Sequence, residues 1–402
     1  MGEDSMNRLQ RIVLGTAGIL WLNAATSIAQ VPAAPRVAPL PESQWSESVR
    51  AAAAGFEATG MRNLAATYAQ RSEVAEASLP HLAYLWTESL LPPRDRALLS
   101  LRTAWLTGSE YLWAHRAGLA LREGLRDADL VRIARGPNAD GWRAFDRLLL
   151  LAADEMHIDS FISDATWAGL SERYGTAQMI ETVDTAGALT MHAGAANSLG
   201  VQIEAGVAER FPAGISRAPA AERTNMRLVD KAARIPPRPP EGGGPIRVNV
   251  FSTFNHNPPG DRVRGQINQL VNNRMSLEPA HRELLLIRIG VLTRSEYEYA
   301  AHMRVGLRVG LTESDIQDIL AGPQAPADPV KAALLRATDE LFEDDIVTTA
   351  TWNELAATLS TGQMLDMLFA VGGYRSNSIL ISSAGVQLDD NMADFRFPPE
   401  LR

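Results

Sequence analysis

The 402-residue chain contains no cysteine. That absence excludes disulfides, thiolate metal sites and any thiol nucleophile. Positive charge is also short: 38 Lys and Arg stand against 47 Asp and Glu, a formal net charge of −9. With no dense Lys/Arg run, a nucleic-acid partner is not expected. There is no His-x-x-x-His, no carboxylate-rich calcium loop and no glycine-rich phosphate cradle after a strand, so no metal and no other cofactor is implied. The run Gly242-Gly-Gly244 lies among prolines and reads as linker. Sustained period-two alternation is missing, which argues against strands. After residue 29 no stretch is long and apolar enough to cross a bilayer. What remains, 46% hydrophobic and 21% charged, is ordinary globular composition, and the length suggests two domains.

The N-terminus has the layout of a secretory signal. Arg8 and Arg11 precede an apolar run over residues 12–22, and small residues lead to Ala29. Cleavage after Ala29 would deliver a periplasmic or secreted protein with no membrane attachment. Residues 30–44 are rich in Pro and Ala and read as an extended lead-in.

The chain then repeats itself. Asn63-Leu-Ala-Ala-Thr67 recurs as Asn249-Val-Phe-Ser-Thr253, Ser109-Glu-Tyr111 as Ser295-Glu-Tyr297, and Gly136-Pro137 as Gly322-Pro323, all at an offset of 186. Beyond these the offset is 185, pairing Asp154-Glu155 with Asp339-Glu340 and Thr166-Trp167 with Thr351-Trp352. A period this long is a duplicated domain. The first copy covers residues 45–204, a Pro/Gly-rich linker 205–247, and the second copy 248–390. Both read as helices, so the fold class is all-α. Pro93 and Pro279 suit a first helical turn, where a missing N–H costs nothing. One helix runs from Pro279, a second from Ser295 to Gly310, and a third from a capping box at Thr312 and Asp315 to Gly322. Further helices are expected over 330–342, 351–359 and 362–383.

The duplication supplies an internal control. Glu298 and His302 lie four residues apart and share a helical face, which Ser295 joins at the helix start. A carboxylate, an imidazole and a hydroxyl at a helix N-terminus suit proton transfer, and the unpaired N–H groups there favour negative charge. The same spacing is also a plain capping box, Ser295 with Glu298. In the first copy these positions hold Leu112 and Arg116, while Glu283 becomes Ala97. His115 is displaced by one residue, about 100° around the helix, and would point elsewhere. Three reactive positions therefore differ together, which makes the second copy the expected site and the first a degenerate scaffold. Trp167 and Trp352 are expected as core anchors, and His192 as a buried, hydrogen-bonded histidine. His81, His157 and His281 have no visible partners in the sequence.

These residues carry a family resemblance. Asn249, Thr253 and His256-Asn-Pro258, then Arg282-Glu-Leu-Leu-Leu-Ile-Arg288, then Ser295-Glu-Tyr-Glu-Tyr-Ala-Ala-His302 resemble the carboxymuconolactone decarboxylase family, in tandem. The resemblance implies an AhpD-like all-α fold in each copy. Peroxidase-type members carry Glu followed by Cys-x-x-Cys-x-x-x-His; those positions fall here on Glu283, Ser295, Glu298 and His302. With both cysteines gone, thiol peroxidase activity is not implied. The Glu and His remain, as in decarboxylase-type members.

The resemblance implies a cofactor-free lyase that decarboxylates a small carboxylated lactone or related enolisable acid. His302, Glu298 and Glu283 would be catalytic. Ser295, Glu296, His256 and Arg288 would contact the substrate, although Arg102 mirrors Arg288 and points to a structural pair. Two alternatives stay open: a non-catalytic periplasmic module that binds small organic acids, or an isomerase, cyclase or hydrolase on the same scaffold. Family members assemble from small subunits, so a trimer of the tandem chain or a monomer resembling a dimer is expected.

Overall fold

The computed structural model describes residues 30–217, 232–239 and 248–401. The signal-peptide reading, the Gly242–Gly244 run and residues 218–231 lie outside them. Among the described residues every regular element is a helix. The first copy comprises α1 (Glu47–Ala54), α2 (Arg62–Tyr68), α3 (Ser72–Ala83), α4 (Pro93–Leu106), α5 (Glu110–Arg122), α6 (Asp127–Arg135), α7 (Ala144–Asp159), α8 (Asp164–Ser171) and α9 (Thr176–Leu199). The second comprises α10 (Asn249–Phe254), α11 (Pro258–Gln269), α12 (Pro279–Leu292), α13 (Glu296–Arg308), α14 (Glu313–Ala321), α15 (Pro329–Glu343), α16 (Thr349–Ala356) and α17 (Thr361–Ala384). In both copies a π-helical turn, Tyr84–Glu88 or Leu270–Arg274, precedes the Pro-initiated helix.

Local chemistry sets these boundaries. Pro93 and Pro279 open α4 and α12. Thr312 Oγ1 accepts the Asp315 N–H, and the Asp315 carboxylate accepts the Thr312 N–H at 2.9 Å, so the capping box of α14 forms as expected. The central helices α9 and α17 end at Gly200 and Gly385, both left-handed.

Those two helices cross at the centre of the molecule, and the crossing is pseudo-symmetric. Gly187 of α9 lies against Ser376, and its counterpart Gly372 of α17 lies against Met191, the counterpart of Ser376. A Cβ on Gly372 would sit 3.1 Å from the Met191 Cα, and one on Gly187 3.1 Å from the Ser376 Cα. Backbone faces backbone there, so only glycine permits the approach. One continuous apolar core spans both copies. Buried polar contacts join them as well: Arg71 Nε donates to Asp366 at 3.3 Å, and Asn257 to Glu181 at 3.2 Å.

The Pro/Ala-rich lead-in does more than lead in. Arg36 donates to the carbonyls of Ser198 (2.9 Å) and Val347 (2.8 Å), one in each copy, and its guanidinium covers the Trp352 ring. Val37 is buried. Trp352 is a core residue as expected, whereas Trp167 is half-buried and covered by Arg234. His192 is fully buried and bonded to the Tyr68 hydroxyl at 3.1 Å. Two histidines that lacked visible partners gain them from segments distant in sequence: His81 meets Asp184 at 3.0 Å, and His157 approaches Asp345 at 3.8 Å.

Candidate active site

The site stands on two adjacent antiparallel-packed helices of the second copy, α12 and α13. Glu283 follows the opening turn of α12, and Glu298 and His302 occupy one face of α13. Their side chains converge. His302 Nδ1 lies 2.7 Å from Glu283 Oε2, and His302 Nε2 lies 3.6 Å from Glu298 Oε2. Glu283, Glu298 and His302 are 0%, 4% and 6% exposed, so this is an enclosed chain of two carboxyls and one imidazole. Arg282 donates Nε to Glu283 Oε1 at 2.8 Å and Nη1 to the Asn272 carbonyl at 3.2 Å. Tyr374 of α17 meets the His302 ring edge to face, centroids 4.6 Å apart, and its hydroxyl bonds the Asn272 side chain at 2.9 Å.

The two carboxyls have opposite proton affinities. Burial pushes Glu283 up, but the hydrogen bond and charge of His302, with the Arg282 guanidinium, more than offset this and hold it below the usual carboxylate range. Burial pushes Glu298 up to about 7, opposed by His302 and reinforced by the charge of Glu283. An ionised Glu283 can only accept, so Nδ1 of His302 carries the proton and donates it. Nε2 then faces Glu298, which holds a proton near neutral pH. Burial and the neighbouring Glu298 carboxyl push the Tyr374 hydroxyl far up, so it stays protonated. The arrangement is suited to moving one proton between Glu298 and His302 while Glu283 fixes the ring.

Ser295 is buried, and its hydroxyl finds no partner among the described residues. It makes no side-chain cap on α13, so the capping-box explanation of Ser295 and Glu298 does not hold. Three of the expected substrate contacts bond to other parts of the protein. Glu296 accepts from Arg396 at 2.8 Å and from the Phe397 N–H at 3.0 Å, which pins the C-terminal tail over α13. His256 bonds the Pro236 carbonyl at 3.0 Å and holds the connector. Arg288 makes a bidentate pair with Asp339, 2.7 Å on both arms, and donates to the Ile319 carbonyl at 2.9 Å. Its counterpart Arg102 does the same with Asp154 and the Ile133 carbonyl.

Arg282, Asn272 and Tyr374 are site residues that sequence reasoning missed. The signal existed: in the first copy Trp86 stands for Asn272 and Leu189 for Tyr374, so the comparison that found Glu283, Glu298 and His302 extends to them. His115, by contrast, behaves as its shifted register demands. It turns away and meets Glu204 at 2.5 Å.

Among the described residues no group of three or more His, Asp or Glu is arranged to hold a metal ion. Two surface hollows, one beside Arg132 and Asn138, the other beside Tyr111 and Phe211, lie away from the triad.

No curated protein and no solved structure matches this chain. Residues 72–154 and 263–340 both match the model of the Carboxymuconolactone decarboxylase family. The second match contains Glu283, Glu298 and His302, and the first contains Ala97, Leu112 and Arg116. Each copy thus carries a region of the carboxymuconolactone decarboxylase family, in tandem and without cysteine.

Proposed function

We propose that the second copy is a cofactor-free decarboxylase acting on a small carboxylated lactone or related enolisable acid. The observation that carries this reading is the Glu283–His302–Glu298 chain, with one carboxyl held ionised and the other held protonated near neutral pH. Decarboxylation breaks the bond between the carboxylate and its carbon. The electron pair passes into the conjugated carbonyl, an enolate forms, and carbon dioxide leaves. The carbon then needs a proton. Glu298 and His302 deliver it as the acid/base pair, and Glu283 with Arg282 holds the imidazole in one orientation. The unpartnered Ser295 hydroxyl and the first N–H groups of α13 suit the developing enolate oxygen. Export to the periplasm, and assembly as a trimer or as a dimer-like monomer, belong to the same proposal.

The test uses the whole chain, a panel of carboxylated lactones and deuterated water. Loss of carbon dioxide with one deuterium at the vacated carbon is the expected result, abolished in His302→Ala. Unchanged product mass would point to an isomerase, and gain of water to a hydrolase. Activity near wild type in His302→Ala would refute the assignment.

A further inference from the structure

We propose that the first copy holds a small-carboxylate binding site of its own, built from Arg96, Arg116 and Trp86. The register comparison shows where. In the second copy the Glu283 carboxylate sits between Arg282 and His302 and satisfies both. In the first copy the flanking positions are Arg96 and Arg116, and the residue between them in function is Ala97, which has no carboxylate to offer.

The donors left behind are buried and unmatched. Arg116 is 1% exposed. Its Nη2 reaches Glu123 at 2.9 Å and makes a long contact with the Pro93 carbonyl at 3.4 Å, but Nε and Nη1 meet no acceptor among the described residues. Arg96 gives Nη2 to the other oxygen of Glu123 at 3.1 Å, and its Nε is likewise unmatched. The Trp86 indole N–H, at the position of Asn272, has no acceptor either, and its ring lies 5.7 Å from the Arg116 guanidinium. Two guanidiniums thus share one carboxylate. Burial lowers Arg116 only to about 10, so it remains charged at neutral pH. Two buried guanidiniums that share one carboxylate and keep unmatched N–H groups are costly, and a planar carboxylate matches the guanidinium fork. The ligand class is therefore a small monocarboxylate, taking the place that Glu283 occupies in the other copy. This site does not depend on the decarboxylase reading.

Acetate, close to the end of a Glu side chain, is the probe. With the full chain at constant ionic strength and neutral pH, acetate but not chloride should raise Tm saturably, since it binds the folded state. Ala97→Glu supplies the carboxylate from within. It should raise Tm in the absence of acetate and weaken acetate binding at least tenfold. Arg116→Gln should weaken binding to a similar degree, and Trp86→Phe, which keeps the ring and removes the N–H, about threefold. Equal effects of chloride and acetate, or full acetate binding in Ala97→Glu, would overturn the proposal.

Discussion

Arg102 and Arg288 occupy equivalent positions and do the same work; Arg116 and His302 also occupy equivalent positions and do different work. The first pair ties α4 to α6 and α7, and α12 to α14 and α15, through the same bidentate carboxylate and the same type of helix-end carbonyl. The second pair is buried in each copy, His302 beside the carboxyls of Glu283 and Glu298, Arg116 sharing Glu123 with Arg96. The difference separates frame from site. Groups that satisfy buried helix ends are the same in both halves, because leaving such ends unpaired costs free energy wherever it occurs. The buried groups around His302 and Arg116 diverge instead, from two carboxyls and an imidazole to Ala97, Leu112 and a guanidinium.

The largest expected effect breaks or upholds that division. His302→Ala should cost on the order of 10²–10⁴ in kcat/KM, the usual worth of a positioned acid/base. His115→Ala in the first copy should cost little, and a loss of similar size there would collapse the distinction. Next comes the frame. Arg102→Ala and Arg288→Ala should each destabilise the fold by about 1–3 kcal/mol, because each leaves a partly buried carboxylate and a helix-end carbonyl unpaired. Chemical denaturation should find the two costs within about 1 kcal/mol of each other, additive in the double variant as expected for distant sites. A cost confined to one copy would show that the shared geometry is not a shared function.

The third effect is a pH dependence with a definite sign. The folded state holds the Glu298 proton more tightly than the unfolded state does. Its contribution is complete below the ordinary carboxylate range and is lost as pH rises towards about 7. Glu298→Gln should remove this decline, worth up to about 3 kcal/mol. Glu283 works the other way: its contribution is present above the ordinary carboxylate range and is lost as pH falls through its lowered value. Leu112 and Ala97 give the first copy neither dependence. The smallest effect concerns Tyr374→Phe. It should cost about 1 kcal/mol in thermal unfolding, the worth of one hydroxyl bond to Asn272, an exposed residue that water can satisfy instead. A cost of several kcal/mol would make Tyr374 part of the frame.

Much of this was legible in the chain itself. Pro279, the Thr312 capping box and the terminal glycines carry local signals, and the helices they bound lie within a few residues of expectation. Glu283, Glu298 and His302 were legible as a set because the second register provided a contrast. Their mutual distances were not, since Glu283 reaches His302 across two helices. Three residues have partners that the sequence did not show. Glu296, His256 and Arg288 have partners, Arg396, Pro236 and Asp339, distant in sequence, and only for Arg288 did a counterpart, Arg102, point to a structural pair. The π-helical turns left no periodic signature, and with them Asn272 and Trp86 went unnoticed. The lead-in around Arg36 read only as an extended segment because composition is silent on a guanidinium lying over Trp352.

The central claim is that the second copy alone holds two carboxyls poised at opposite protonation states around one imidazole. Carbon-13 NMR of protein labelled at the glutamate carboxyls, followed across pH, tests it without a substrate. The account predicts one carboxyl titrating near 7 and absent from Glu298→Gln, with a second, coupled to it, titrating below the ordinary range and absent from Glu283→Gln. A protein with no carboxyl titrating near neutrality, or one in which that signal survives Glu298→Gln, would contradict it.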